Sequence, residues 1–260
     1  MKCKEINKII EQKYGKKYAL SWDNVGLQIG RSDKEVKRIF VALDLTDEII
    51  EEAIEWGADM IATHHPMIFK PLKNITDQDF IGRRVLQLIQ HDICYYAMHT
   101  NYDVIKMAEL AGDKLGMKEA EILEVTYSDE EMTAGIGRIA DLDEKMSLKD
   151  CCEWVKEVFG LPNVKVFGDP DKMIGRIAIS PGSGKSMIKA SLDKKVDVLI
   201  TGDIDHHEGI DAVAQGMMII DAGHYGIEHI YIEDMKGFFE ENLQGVEVKT
   251  AKILQPFWII

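Results

Sequence analysis

The sequence predicts an α/β fold with largely parallel strands, arranged as two α/β halves. Three observations carry this. Short apolar runs rich in Val, Ile and Met alternate with longer stretches of helical period. The second half of the chain repeats the alternation of the first. No Ser/Gly-rich or Pro-rich linker interrupts the chain, so any domain boundary is a short loop.

In order, MKCKEINKIIEQK reads as a charged amphipathic helix rather than a secretory signal. KRIFVALD, ADMIATHH and ICYYAMHT read as strands, separated by the helical stretches TDEIIEEAIEWG and DFIGRRVLQLIQHD. A block over 124–172 follows, with the apolar segment TAGIGRIADL, the helix-like SLKDCCEWVKEVFG and the loop FGDPDK. The pattern then resumes as GRIAIS, SMIKASLDKK, VDVLITGD, EGIDAVAQG and MMIIDAGH. These spans place one half at 1–123 and the other at 124–260, with the last strand free to return to the first half. They also suggest an internal duplication. Asp59 and Thr63 correspond to Asp197 and Thr201 at one offset of 138, and Ala53 and Ala190 lie on the preceding helices. HTNYD (99–103) pairs with HYGIE (224–228), each a histidine followed four residues later by a carboxylate.

Composition narrows the function. The 260 residues hold 31 Lys plus Arg against 45 Asp plus Glu, a net charge of −14 that argues against non-specific nucleic-acid binding. With 46% hydrophobic and 29% charged residues, the chain is of the ordinary soluble globular class and long enough to bury roughly 70–75% of its surface. No apolar run reaches the roughly 18–20 residues that span a bilayer, so a cytoplasmic location is expected. Cys3, Cys94, Cys151 and Cys152 form no CxxC pair and read as reduced thiols, which leaves no thiolate site for structural zinc.

The chemistry lies with the histidines. Among 8 His, chance gives about 0.2 adjacent pairs, yet there are two, His64–His65 and His206–His207. His64 and His65 follow the buried strand DMIAT, and Pro66 disfavours an α conformation at His65. Both imidazoles therefore emerge at a strand's carboxyl end, where α/β proteins build their sites. Successive side chains on extended backbone point oppositely, so each ring suits its own ion, and the pair hints at two metals. Asp103 adds a hard oxygen at the next strand end, where His99 is a third imidazole or an outer hydrogen-bonding group. If a helix opens at His224, then Glu228 lies one turn on along the same face. His64, His65, Asp103, His224 and Glu228 make a nitrogen/oxygen set suited to two divalent ions of Zn, Fe, Mn, Co or Ni. Singly, His91 and His229 read as surface or packing residues.

Two motifs mislead. SPGSGKS looks like a phosphate loop, but the position that must be its first glycine is Ile179, so a glycine-rich turn feeding a helix explains it more simply. Asp205-His206-His207 matches a tripeptide of the DHH phosphoesterases without that family's other aspartate motifs; His207 is nevertheless a candidate to face the site.

SWDNVGLQIG (21–30), THHPMIF (63–69), HTNYD, PGSGKS (181–186), TGDIDHHEGIDA (201–212) and DAGHYGIEH (221–229), in that order, resemble the NIF3-like family, whose members are named GTP cyclohydrolase 1 type 2 homologs. The resemblance implies a two-domain α/β fold, a dinuclear metal centre in a cleft between the halves, a toroidal homohexamer, and opening of the purine ring of GTP by water. It puts the metal ligands on His64, His65, Asp103, His224 and Glu228. Relatives often carry an aromatic where this chain has His206, and the PII-like domain inserted in longer relatives has no room between Cys151 and Lys172. The expected function is a metal-dependent hydrolase of a small molecule, a purine nucleotide being the favoured class. His99 and His207 are the candidate proton-transfer residues, and Asp23 and Asn24 line the pocket. The alternatives are a non-enzymatic metal-loaded hexameric scaffold or regulatory protein, and a metal-dependent phosphodiesterase with Lys70, Lys73, Arg83 or Lys185 as phosphate holders.

Overall fold

The computed structural model describes residues 1–259 and is a mixed α/β structure with two sheets. The chain divides into two compact units, Met1–Tyr102 with Tyr231–Leu254, and Asp103–Ile230 with the residues from Gln255 onward. Eleven strands occur among the described residues. They are β1 (Gly26–Ile29), β2 (Arg38–Ala42), β3 (Met60–Thr63), β4 (Cys94–Ala97), β5 (Glu121–Ser128), β6 (Thr133–Ser147), β7 (Lys165–Phe167), β8 (Met173–Ser183), β9 (Val198–Gly202), β10 (Met218–Asp221) and β11 (Glu247–Thr250).

In the first unit the sheet order is β1-β4-β3-β2-β11. Strands β11, β2, β3 and β4 run parallel and β1 is antiparallel to β4. Every residue of β3 and β4 is buried, as expected of parallel strands covered on both faces by crossover helices. The helix Asp47–Trp56 is capped by the Thr46 hydroxyl, which accepts from the Ile49 amide, and stops at Gly57, whose φ of 75° only glycine adopts cheaply. Asp79 caps Phe80–Gln90 in the same way. Ile50, Ala53, Val85 and Leu88 of these helices pack on Phe40, Ile61 and Tyr95 of the sheet.

In the second unit the order is β5-β6-β8-β9-β10-β7, with β8, β9 and β10 parallel and the rest antiparallel. Its core joins Leu123, Ile139, Ala178, Leu199 and Ile219 to Ala212. The sequence boundary between 123 and 124 falls inside β5, whereas the compact units divide after Tyr102 and again after Ile230. The return has a direct cause: β11 completes the first sheet by pairing with β2, Val248 against Ile39.

The duplication is visible in the ladders. Each unit contains an antiparallel strand, then three parallel strands linked by helices: β1 through β4 in one, β7 through β10 in the other. Ile39 faces Met60 in the first and Ile177 faces Val198 in the second, both displaced by 138. Asp59 accepts from the amides of Lys37 and Arg38 at 2.8 and 3.1 Å; Asp197 accepts from those of Gly175 and Arg176 at 2.7 and 2.9 Å. At the third parallel strand the offset becomes 124, since Met60 pairs with Cys94 and Val198 with Met218. The next bonds, Met98 N–H to Thr63 O and Ala222 N–H to Thr201 O, keep that register. The counterpart of His99 is therefore Gly223, and that of His224 is Thr100, so the sequence pairing of the two histidines is one residue out. Gly223, at φ 78°, turns the chain so that the histidine arrives one position later, at the start of a helix.

Candidate metal centre

Three imidazoles of the first unit come together just beyond strand ends. The segment after β3 is held by its backbone: the amides of His64 and His65 both donate to Leu43 O, and the Tyr95 hydroxyl and Thr63 Oγ1 each donate to His65 O. Because β3 stops at Thr63, strand alternation no longer separates the two side chains. The rings converge, with centroids 4.9 Å apart for His64–His65, 5.3 Å for His64–His99 and 5.7 Å for His65–His99. One ring nitrogen from each of the three lies within 4.8 Å of the others, so the group can hold a metal ion. This differs from the expectation of rings facing opposite ways.

Each ring is oriented through Nδ1. His64, fully buried, places Nδ1 2.8 Å from Met98 O; a carbonyl only accepts, so Nδ1 carries a proton and donates it. His65 Nδ1 lies 2.7 Å from Asp44 Oδ1 and His99 Nδ1 lies 2.9 Å from Asp23 Oδ1. The Asp23 carboxylate also accepts from the amide and hydroxyl of Thr100 at 2.9 and 2.5 Å. Burial pushes the Asp23 carboxyl up, but the hydrogen bond and charge of His99 and the two bonds from Thr100 outweigh it and carry it down to about 2. Asp23 is thus a fixed anion at neutral pH.

In the second unit His224 opens the helix His224–Glu228. Its Nδ1 lies 2.7 Å from Asp203 Oδ2 and its Nε2 2.9 Å from Glu228 Oε2, the latter residue being 2% exposed. Asp221 at the end of β10 accepts from the amides of Ile204 and Gly223, which ties the two loops carrying Asp203 and His224 to one carboxylate. The glycine-rich PGSGKS segment has a role here. Gly182, at φ 77°, passes so close that a Cβ would clash with Glu228 Oε1 and lie 3.6 Å from His224 Nε2. Its Lys185 is ion-paired with Glu208.

Asp103 is half-buried and begins a π-helical turn, Asp103–Met107, directly after Thr100–Tyr102. His206 and His207 are exposed in the first turn of the helix His206–Ala214, rings 5.2 Å apart. Lys70, Lys73, Arg83 and His91 are exposed as well. His229 is half-buried, and burial lowers its pKa. Sequence reasoning missed Asp44, Asp203 and Gly182. Asp44 ends the strand-like run KRIFVALD, the same strand-end signal that marked the histidines; Gly182 carried no signal that separates it from a turn glycine.

Within the first unit three imidazoles gathered with Nδ1 engaged, and within the second an imidazole beside a buried carboxylate, are each of a chemistry that suits a divalent cation of nitrogen/oxygen preference. The family Duf34/NIF3 (NGG1p interacting factor 3) matches residues 1–256. A GTP cyclohydrolase 1 type 2 homolog from Clostridium perfringens is 34% identical over 266 residues, covering 100% of both chains. The crystal structure of Staphylococcus aureus protein SA1388 superposes with a TM-score of 0.89 at 31% identity, over 100% of this chain and 99% of that one. That of a Bacillus cereus protein related to NIF3 gives 0.91 at 24% identity over 100% and 99%, which speaks for the fold alone.

Proposed function

The chain belongs to the Duf34/NIF3 family, and from that premise we propose that it is a dinuclear metal protein that hydrolyses a purine nucleotide. The proposed ligands are His64, His65, Asp103, His224 and Glu228. The observation that carries the reading is the anchoring of every relevant imidazole through Nδ1, to Met98 O, Asp44, Asp23 and Asp203. Such outer hydrogen bonds fix the tautomer and raise the basicity of the nitrogen left for a metal. The names of the curated relatives favour GTP as the substrate.

When bound, divalent ions would supply Lewis acidity toward a substrate oxygen and lower the pKa of water towards roughly 7. The chain's residues do the rest. His64 and His65, oriented through Nδ1 by Met98 O and Asp44, would offer Nε2 as the ligand atom. Glu228 offers two oxygens, one already 2.9 Å from His224 Nε2. His99, held by Asp23 Oδ1 2.9 Å from its Nδ1, is the proposed proton-transfer residue of the first unit, acting through Nε2. His207, exposed in the second unit, is the other proposed proton-transfer residue. No helix of the described residues is long and apolar enough to cross a membrane; a cytoplasmic homohexamer completes the proposal.

The test combines metal analysis with turnover. Purified protein should carry two divalent ions per chain that a chelator removes, and Glu228→Ala should lower GTP hydrolysis at least a hundredfold, about 2.7 kcal/mol of barrier. Equal rates from parent and variant would sink the hydrolase reading.

A further inference from the structure

We infer that Trp22 and Phe69 form a stacking site for the planar heteroaromatic ring of the ligand, beside His99. This deepens the hydrolase reading above and rests on it only for the class of ligand. Trp22 and Phe69 are 55% and 47% exposed. Neither belongs to a loose loop. Asn24 Nδ2 donates to Ile68 O at 2.5 Å, Gln28 Nε2 donates to the same carbonyl at 3.3 Å, and the Ile68 amide donates back to Gln28 Oε1 at 3.0 Å. Asp23, next to Trp22, is pinned by Thr100 and His99. The two aromatic residues are thus presented to solvent from segments stapled to each other.

Their arrangement points to a flat guest. The Trp22 and Phe69 centroids lie 5.7 Å apart with the ring planes tilted 50°, so the two rings are not stacked face to face on one another. Both meet His99 nearly edge-on, at 5.9 Å and 71° for Trp22 and 6.4 Å and 72° for Phe69. His99 in turn belongs to the His64–His65–His99 group that can hold a metal ion. A base lying on Trp22 or Phe69 would therefore bring its own ring atoms, rather than its phosphates, to the imidazoles. That placement favours ring hydrolysis over phosphodiester cleavage at the site, with the base of the purine nucleotide proposed above as the guest.

The test uses the full-length protein as purified, with GMP and ribose 5-phosphate as probes in equilibrium titrations. GMP should bind at least tenfold more tightly than ribose 5-phosphate. Trp22→Ala should weaken GMP roughly tenfold or more without changing ribose 5-phosphate, and Trp22→Phe should hold within about threefold of the parent. Phe69→Ala should act in the direction of Trp22→Ala. The GMP preference should survive chelation, so loss of the metal reading and loss of this one are separate results. Equal affinity for the two probes, or GMP binding unmoved by Trp22→Ala, overturns the inference. A Trp22→Ala protein whose native mass falls while its GMP affinity stays constant also overturns it, and makes the rings a contact between copies.

Discussion

A histidine whose Nδ1 already donates to a carbonyl or carboxylate has one nitrogen left to offer, and its direction is set by that bond. Asp44 and Asp203 do this for His65 and His224, each at 2.7 Å, while both carboxylates remain about half-exposed, at 49% and 57%. Removing either should leave the fold intact and the imidazole free to rotate. Asp44→Ala and Asp203→Ala are each expected to weaken metal binding about 10–100-fold, measured by competition with a chromophoric chelator, with the far-UV circular dichroism unchanged. Asp23 allows a pH prediction. Its folded carboxyl, at about 2, lies below the unfolded value of about 3.9, so it stabilises the native state above pH 4 and that contribution fades as the pH falls through 2. Thermal midpoints followed between pH 2 and 5 should drop less steeply in Asp23→Asn than in the parent. His64 and His65 were legible in the sequence because an adjacent His pair is rare, although the second such pair, His206–His207, lies exposed on a helix. Asp44 and Asp203 were not, because an orienting carboxylate is recognised only by what it touches.

At the level of elements, the repeated unit carries its own internal lock. Asp59 and Asp197 occupy equivalent positions just before β3 and β9, and each accepts two backbone amides from the start of the neighbouring parallel strand. Alanine at either leaves two amides without their acceptor at a partly buried edge. Each substitution should destabilise the protein by about 1–3 kcal/mol, read from urea unfolding, and the two effects should be alike because the geometry is alike. The Asp59–Thr63 and Asp197–Thr201 correspondence was readable from residue types alone, since a buried parallel strand and its opening carboxylate leave a compact signature. The pairing of His99 with His224 was not, because the left-handed Gly223 shifts the second histidine by one place, and in an extended ladder one place reverses the side-chain direction.

For the molecule as a whole, 14 excess negative charges oppose a polyanionic nucleotide at long range, and bound cations are the natural local focus that reverses this. Binding to the folded state alone also stabilises it. Free metal at a hundred times its dissociation constant is worth about 2.7 kcal/mol per site, so metal-loaded protein should melt several degrees above chelator-treated protein, and re-addition of metal should restore the difference. A midpoint indifferent to chelation would mean that these side chains hold no ion in the native state. The composition of the two units also belongs to this scale. Tyr231–Leu254 joins the first unit because β11 has an open edge of β2 to pair with, an event that depends on residues some two hundred positions apart.

The sequence by itself determined the alternation of parallel strands and helices, the repeat, and the histidines His64 and His65 just past a strand end, because periodicity, rare residue pairs and fixed spacing are local properties that survive without coordinates. Only the tertiary structure decided that His64 and His65 converge, that Asp44, Asp23 and Asp203 aim the rings, that Gly182 makes room for Glu228, and that Trp22 and Phe69 stand exposed beside His99. Those facts depend on contacts between segments far apart in the chain, and which segments meet is settled by burying the two cores rather than by any motif.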